Sequence, residues 1–244
     1  MSLLQYGCAT TLYHARADRH APAGAFAEQI VVPDRNLSVI DNNLSFANAA
    51  LAEPLAVAVR TVGVAIAHTA DRDAGIVIIG GGAIGLLCAL VLRVYGHSHI
   101  RIAEPNALRR DLLDALDNGE VFDPVAAPAQ DASADIVIDA VGSGITRAAG
   151  SAIVRHGGIM VHVGLQDSDP GLDTRRFTLQ DITFTGTYCY RPDDFSEALR
   201  LLTAGAVNGD GWTEIRDLQA GAQAFVDIHQ GKAPPKIILT TGSG

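Results

Sequence analysis

Cysteine is scarce in this chain of 244 residues: there are three, Cys8, Cys88 and Cys189, and no C-x-x-C pair. That spacing excludes a disulfide framework and a cysteine zinc cluster, and it suits a reducing, cytoplasmic setting. Positive charge is also in short supply, with 18 Lys and Arg against 27 Asp and Glu, a formal net charge of −9. Such a balance argues against nucleic acid or an anionic membrane as partner. The opening Met-Ser-Leu-Leu-Gln-Tyr-Gly-Cys lacks the basic start and long apolar core of a secretory signal. Ala74 to Leu92 carries no charge over 19 residues, a length that invites a transmembrane reading. Three consecutive glycines interrupt it, and a β-branched run gives way to a helical one across them. A buried strand and its helix are therefore predicted there, and no membrane span.

What is present begins at residue 76, with Ile-Val-Ile-Ile-Gly-Gly-Gly-Ala-Ile-Gly. Four β-branched residues in a row suit a strand buried on both faces. Gly80, Gly82 and Gly85 then fall on the G-x-G-x-x-G spacing, with Ala83 and Ile84 inside the loop and an apolar helical run from Leu86 to Val94. Gly80 permits the tight turn, Gly82 lets backbone approach a pyrophosphate, and Gly85 lets helix and strand pack closely. Phosphates would sit at the helix amino terminus, where free N–H groups and the helix dipole favour negative charge.

A lone glycine loop is weak, so the second half of the fingerprint decides. A strand at His99 to Ala103 ends in Glu104, 19 residues after Gly85. There an acidic side chain accepts from the adenosine ribose hydroxyls and repels a 2′-phosphate, which favours NAD over NADP. Arg109 and Arg110 keep NADP in play, since a nearby arginine can pair with that phosphate. The bland alternative is an ordinary tight turn followed by a solvated strand end.

From Asp73 onward strands and helices alternate, which predicts an α/β fold: a doubly wound parallel sheet with helices on both faces. Helices are predicted over Asn106 to Asp117, after Gly142-Ser143-Gly144 through about Val154, and over Asp193 to Ala204. Strands are predicted near Glu120 to Phe122, at Asp135 to Val141, at Ile159 to Val163 and at Ile182 to Thr187. The first seventy residues differ. Phe26 to Pro33 alternates like a strand, Asp34 to Asn43 is polar and turn-rich, and an alanine-rich helix over Ser45 to Ala67 is opened or kinked by Pro54. Asp217 to Thr241 reads as an amphipathic helix, a Lys-Ala-Pro-Pro turn and a final strand from Lys236 to Leu239.

Four runs together resemble the zinc-type medium-chain dehydrogenases, in particular the sorbitol, butanediol and idonate dehydrogenase branch. They are Gly24-Ala-Phe-Ala-Glu28, the Ala-Leu-Ala-Glu-Pro-Leu-Ala-Val stretch ending at Val57, the glycine loop with Glu104-Pro105, and Ile182-Thr-Phe-Thr-Gly186 with Asp194-Phe195. The resemblance implies a Rossmann domain over residues 49–211. A remnant of a mostly β, GroES-like catalytic region would occupy 1–48, and 212–244 would return to it. It implies hydride transfer between a secondary alcohol or polyol and NAD, with a small-molecule alcohol or ketone as substrate and a dimer or tetramer as assembly. It also implies a catalytic zinc. The family's cysteine ligand and His-Glu pair precede the region matched here, and before Gly24 this sequence has no Gly-His-Glu segment and one cysteine. Bound zinc is therefore not expected. Cys8, Thr11, His14 and Pro22 fall at the spacing of the family's structural zinc lobe, but three of the four are not cysteine. Alternatively, Leu12 to Gly24 is the remnant of a strand.

Glu53 occupies the family's later zinc-adjacent position and is the candidate catalytic residue; its alternative is a polar helix start before Pro54. Val141, Gly142, Val163, Gly164 and Leu165 lie at the carboxyl ends of two strands, where ligands of such folds bind; backbone groups there would hold the nicotinamide carboxamide and ribose, the alternative being ordinary strand-end turns. His97 and His99 are predicted at the exposed start of the second strand. Cys88 reads as packing. Two other functions stay open: a cofactor-binding protein without catalysis, and a zinc-independent quinone or enone reductase, against which Glu53-Pro54 and Glu104 argue.

Overall fold

The computed structural model describes residues 2–5, 26–69 and 71–241. Cys8, Thr11, His14, His20, Pro22 and the segment from Leu12 to Ala25 lie outside the described residues. Backbone proximity divides the chain into two units, Met1–Ala56 with Cys189–Gly244, and Val57–Tyr188.

The first unit begins with Ser2–Gln5 (β1) paired antiparallel with Leu37–Ile40 (β2). The strand predicted at Phe26 to Pro33 does not form; bends and extended chain occupy those residues. Alternation marks two faces, but a strand also needs a ladder partner, and none of the described residues supplies one there. Phe26 packs edge-on against Phe225 instead, with 5.5 Å between ring centroids. The turn-rich stretch holds both a short 3-10 turn at Asp34–Asn36 and β2. Phe46–Ala49 (α1) starts on Ser45, whose hydroxyl accepts from the Asn48 amide at 3.2 Å. Ala52–Ile66 (α2) follows, with Pro54 in its first turn. A first-turn amide has no intrahelical acceptor, so this proline opens the helix without kinking it. Leu55, Ala58, Val62 and Ala65 form its fully buried face.

The second unit contains strands Ile76–Ile79 (β3), Ile100–Ala103 (β4), Glu120–Phe122 (β5), Ala134–Asp139 (β6), Val154–His162 (β7) and Thr183–Gly186 (β8). Between them lie helices Ala83–Val94 (α3), Ala107–Ala115 (α4), Gly144–Ile153 (α5) and Thr174–Leu179 (α6). The strands form one sheet in the order β5-β4-β3-β6-β7-β8, and every pair is parallel. This is the doubly wound arrangement expected from the alternating pattern, and its strand order reverses between β3 and β6. All four β3 residues are buried, as their continuous β-branched character requires of a central strand covered on both faces. On one side of the sheet Val77, Val137, Met160 and Phe177 form a core with Ile153 and Ile182.

Two details differ from the sequence reading. Helix α5 passes into β7 with no loop: Val154 is already extended, and His156 to Gly158 belong to the strand. A register shift of β7 on β6 near Ala134 and Ile136 absorbs those residues, and Gly157 takes the left-handed φ of +69° there. Short helix α6 was not legible as a helix in the sequence.

The chain returns to the first unit through Pro192–Thr203 (α7), with Asp193 and Asp194 in its first turn, where the dipole favours negative charge. Thr213–Asp217 (β9), Gly221–His229 (α8) and Lys236–Thr240 (β10) then make a parallel two-stranded sheet and its crossover helix. Asn48 on α1 accepts from the Gly209 amide at 2.8 Å. The buried Trp212 donates its indole N–H to the Asn208 carbonyl at 2.8 Å. No helix among the described residues is long and apolar enough to cross a membrane.

Candidate dinucleotide site

The glycine loop lies at the reversal point of the sheet. Gly80, next after β3, has φ +100°, and a methyl group there would lie 2.5 Å from Val141 Cγ2, just beyond β6. Gly85 packs so closely on Gly80 that a Cβ would lie 1.8 Å from the Gly80 carbonyl oxygen. Gly82 is the residue preceding α3, and no side chain caps the helix there. A Cβ on Gly82 would meet nothing within 4 Å, so the space over the amino terminus of α3 is open. Ala83 and Ile84, partly exposed, form the first turn beside it. An open helix start with its amides uncapped is a ready anion site.

Glu104 ends β4 and is only 4% exposed. Its Oε2 accepts from the Gly81 amide at 2.9 Å and its Oε1 from the Asn106 amide at 2.8 Å. The carboxylate thus fastens the glycine loop to the start of α4, and each oxygen keeps a further lone pair for a hydroxyl. A Cβ on Gly81 would lie 2.4 Å from Leu113 Cδ1 and 3.1 Å from the Glu104 carboxylate, whereas one on Gly82 meets nothing within 4 Å. Arg110 donates to the Glu104 and Pro105 carbonyls at 3.0 and 2.7 Å and pairs with Asp123 at 3.2 Å. Arg109 lies in the first turn of α4, where its amide donates to Asn106 Oδ1 at 3.1 Å.

The second group of predicted residues gathers at the carboxyl ends of β6 and β7. A Cβ on Gly142 would lie 2.1 Å from the Gly164 carbonyl carbon, and one on Gly164 would lie 2.1 Å from the carbonyl carbon of Val141. Val163 and Gly164 donate their amides to the Asp139 carbonyl, each at 3.0 Å. Leu165 is 79% exposed.

Sequence reasoning missed the polar residues beneath these loops. Asp139, with no exposed surface, accepts through Oδ1 from the Val141 and Gly142 amides at 3.1 and 2.8 Å. Its Oδ2 accepts from Thr146 Oγ1 at 3.1 Å. Arg147 donates to the Gly142 carbonyl at 3.0 Å and to Asp167 Oδ1 at 2.8 Å, and its Nη1 lies 3.3 Å from His162 Nε2. The signal was available: Asp139 is a lone charge closing the otherwise apolar run Ile-Val-Ile-Asp.

Glu53 belongs to the other unit. Its side chain keeps an exposed face, yet the surrounding protein raises its carboxyl above the ordinary range, and the Lys236 ammonium pulls it partly back. Lys236 is lowered by burial in turn, and Glu53 opposes that shift. Among the described residues no three His, Cys, Asp or Glu side chains converge as metal ligands. Glu53 has a cation as its charged neighbour, not a second donor, so the described residues do not fit a zinc ion and no chemical step is assigned to one. His97 corrects the sequence reading: it is buried, 6% exposed, because the chain turns inward after Gly96, whereas His99 is exposed. Cys88 is fully buried, as expected, and burial pushes its thiol up to about 12.

The sheet order and the open glycine loop define a nucleotide-binding α/β domain of the Rossmann class. A family model described as zinc-binding dehydrogenase matches residues 83–204, half of the chain, and the chain belongs to that family. A probable D-xylulose reductase A of Neosartorya fischeri is 28% identical over 228 residues, a match covering 88% of this chain and 63% of that protein. The chain thus spans less than two thirds of the length of such curated relatives. The 2R,3R-butanediol dehydrogenase of Bacillus subtilis superposes with a TM-score of 0.79 at 20% identity, over 98% of this chain and 72% of that one. A short chain alcohol dehydrogenase of Escherichia coli CFT073, solved in complex with NADH, gives 0.75 at 17% identity, over 86% of this chain and 64% of that one. These structural likenesses concern the fold.

Proposed function

We propose that this chain binds NAD(H) and serves hydride transfer between a secondary alcohol or polyol and the nicotinamide ring, giving a ketone or the reverse. The observation that carries the reading is the open space above Gly82 at the uncapped start of α3, flanked by the buried Glu104. The amides of the Gly82–Gly85 turn hold the diphosphate, and Glu104 takes the ribose hydroxyls on its remaining lone pairs. Arg109, in the first turn of α4 just after Glu104, is counted with the ribose end of the site. Val141, Gly142, Val163, Gly164 and Leu165 flank the nicotinamide half. When bound, the cofactor supplies the hydride acceptor or donor. D-xylulose, the substrate named for the fungal relatives, heads the list of ketones to try.

A second reading, a cofactor-binding protein without turnover, is favoured by the ligand-poor surroundings of Glu53. Self-association through β8 is part of the proposal: it is one of the sheet's two edge strands, and Phe184 within it and Tyr188 just after it are 37% and 60% exposed. A reducing, cytoplasmic location suits Cys88 and Cys189, neither of which is in a disulfide. Calorimetric titration with NADH and NADPH, followed by D-xylulose reduction assays, tests the whole. One NADH per chain, bound more tightly than NADPH, supports it. Tighter NADPH binding rejects the role given to Glu104, and NADH binding without turnover selects the second reading.

A further inference from the structure

Asp139 is a fully buried carboxylate that the hydride-transfer reading leaves without a task. Burying a charge is costly unless hydrogen bonds compensate it, and here every bond it accepts comes from the loop and helix start that follow its own strand. Oδ1 gathers the Val141 and Gly142 amides, and Oδ2 takes the Thr146 hydroxyl. Thr146 in turn accepts from the Ser143 amide at 2.9 Å, which fixes the first turn of α5. Gly142 is held in the left-handed region at φ +75°, a conformation that two amides converging on one carboxylate oxygen impose on the chain. From the other side, Arg147 grips the Gly142 carbonyl and, through Asp167, the loop after β7. Asp167 also accepts from the Gly144 amide at 2.9 Å. His162, at the end of β7, stands 3.7 Å from Asp139 Oδ2 and closes the group.

Resting on the dinucleotide reading, we propose that Asp139 is a positioning residue: through Val141 and Gly142 it sets the backbone that receives the nicotinamide half of the cofactor. None of the Asp139 hydrogen bonds reaches Glu104 or the glycine loop, which set the adenosine half; the two groups meet through the packing of Val141 against Gly80. The two halves of the ligand therefore report on two different sets of side chains.

The test measures NADH and AMP affinities for the wild type, Asp139→Ala, Asp139→Asn and Thr146→Val. Asp139→Ala is expected to weaken NADH about tenfold or more while AMP changes less than about twofold, since the variant releases the Val141 and Gly142 amides and leaves the Glu104 bonds in place. Asp139→Asn keeps an acceptor for the two amides and recovers most of the NADH affinity. Thr146→Val, which removes one donor from the edge of the group, shows the same selective loss in smaller measure and serves if Asp139→Ala does not fold. Equal loss of both ligands, or no loss of either, overturns the positioning role alone. A wild-type protein that binds neither ligand overturns the dinucleotide reading as well.

Discussion

Gly142 and Gly164 touch backbone to backbone, so closely that a Cβ on Gly164 would lie 2.4 Å from the Gly142 amide nitrogen. No side chain fits between the loops after β6 and β7, and their separation is fixed by the absence of two methyl groups. Gly164→Ala should therefore destabilise the fold by about 1–3 kcal/mol, the usual cost of overpacking. Gly157→Ala is the control, since Gly157 has φ +69° but open space around it. It should cost about 1 kcal/mol, from backbone strain alone. Chemical denaturation of both variants checks the difference, and equal losses would contradict the contact.

Gly82→Ala separates binding from folding. Its φ of −72° and ψ of −174° suit alanine, and the new methyl group meets no protein atom within 4 Å. The melting temperature should move little. NADH affinity should fall at least tenfold, because the methyl group enters the space proposed for the diphosphate. Gly81→Ala should do the opposite in the main and lower the melting temperature, since its methyl group strikes Leu113.

Glu104→Ala should lower both stability and NADH affinity. The buried Gly81 amide and the partly buried Asn106 amide lose their acceptor, a loss of about 1–3 kcal/mol. Glu104→Gln keeps one good acceptor and should recover part of the stability. A Glu104→Ala protein with unchanged melting temperature would remove the clamp from the account.

Thiol titration should distinguish the two described cysteines. Cys88 is fully buried with its thiol pushed up to about 12 by burial, so it carries almost no thiolate at pH 8. It should stay unmodified in native protein until denaturant is added, while the partly exposed Cys189 reacts. Peptide mapping after labelling assigns each site.

Acid should loosen the loop after β7 through Asp167. Burial pushes its carboxyl up, but the Asp169 and Gly144 amides and the Arg147 guanidinium outweigh that and hold it below the ordinary 3.8. A carboxyl depressed in the folded state contributes stability that is present above the unfolded value and lost as pH falls through the folded one. Asp167→Asn should therefore flatten the stability profile below about pH 4 and leave its shape at neutral pH unchanged. A melting series across that range measures it.

The sheet and the glycine loop were legible because their determinants are local. The four β-branched residues of β3, the run ending at Asp139 and the G-x-G-x-x-G spacing each state their own structure. What stayed hidden depends on partners distant in sequence. Asp139 reads as a strand end until Thr146 and the turned-back amides of Val141 and Gly142 surround it. Thr213–Asp217 is not predicted as a strand, since it becomes one only against Lys236–Thr240. Its charges are absorbed by Arg216, which pairs with Glu214 at 2.7 Å and Asp227 at 2.6 Å. His97 looked solvated beside other polar residues, and only the turn at Gly96 buries it.

A ribbon of two strands has a bare rim on each side, and β9 with β10 is such a ribbon among the described residues. One nine-residue helix, α8, connects its two strands. Deuterium should enter these strands well before it enters β3 and β6, whose neighbours shield them on both flanks. On warming, the chain should come apart from this end inward, fraying here while the nucleotide cradle still holds its shape.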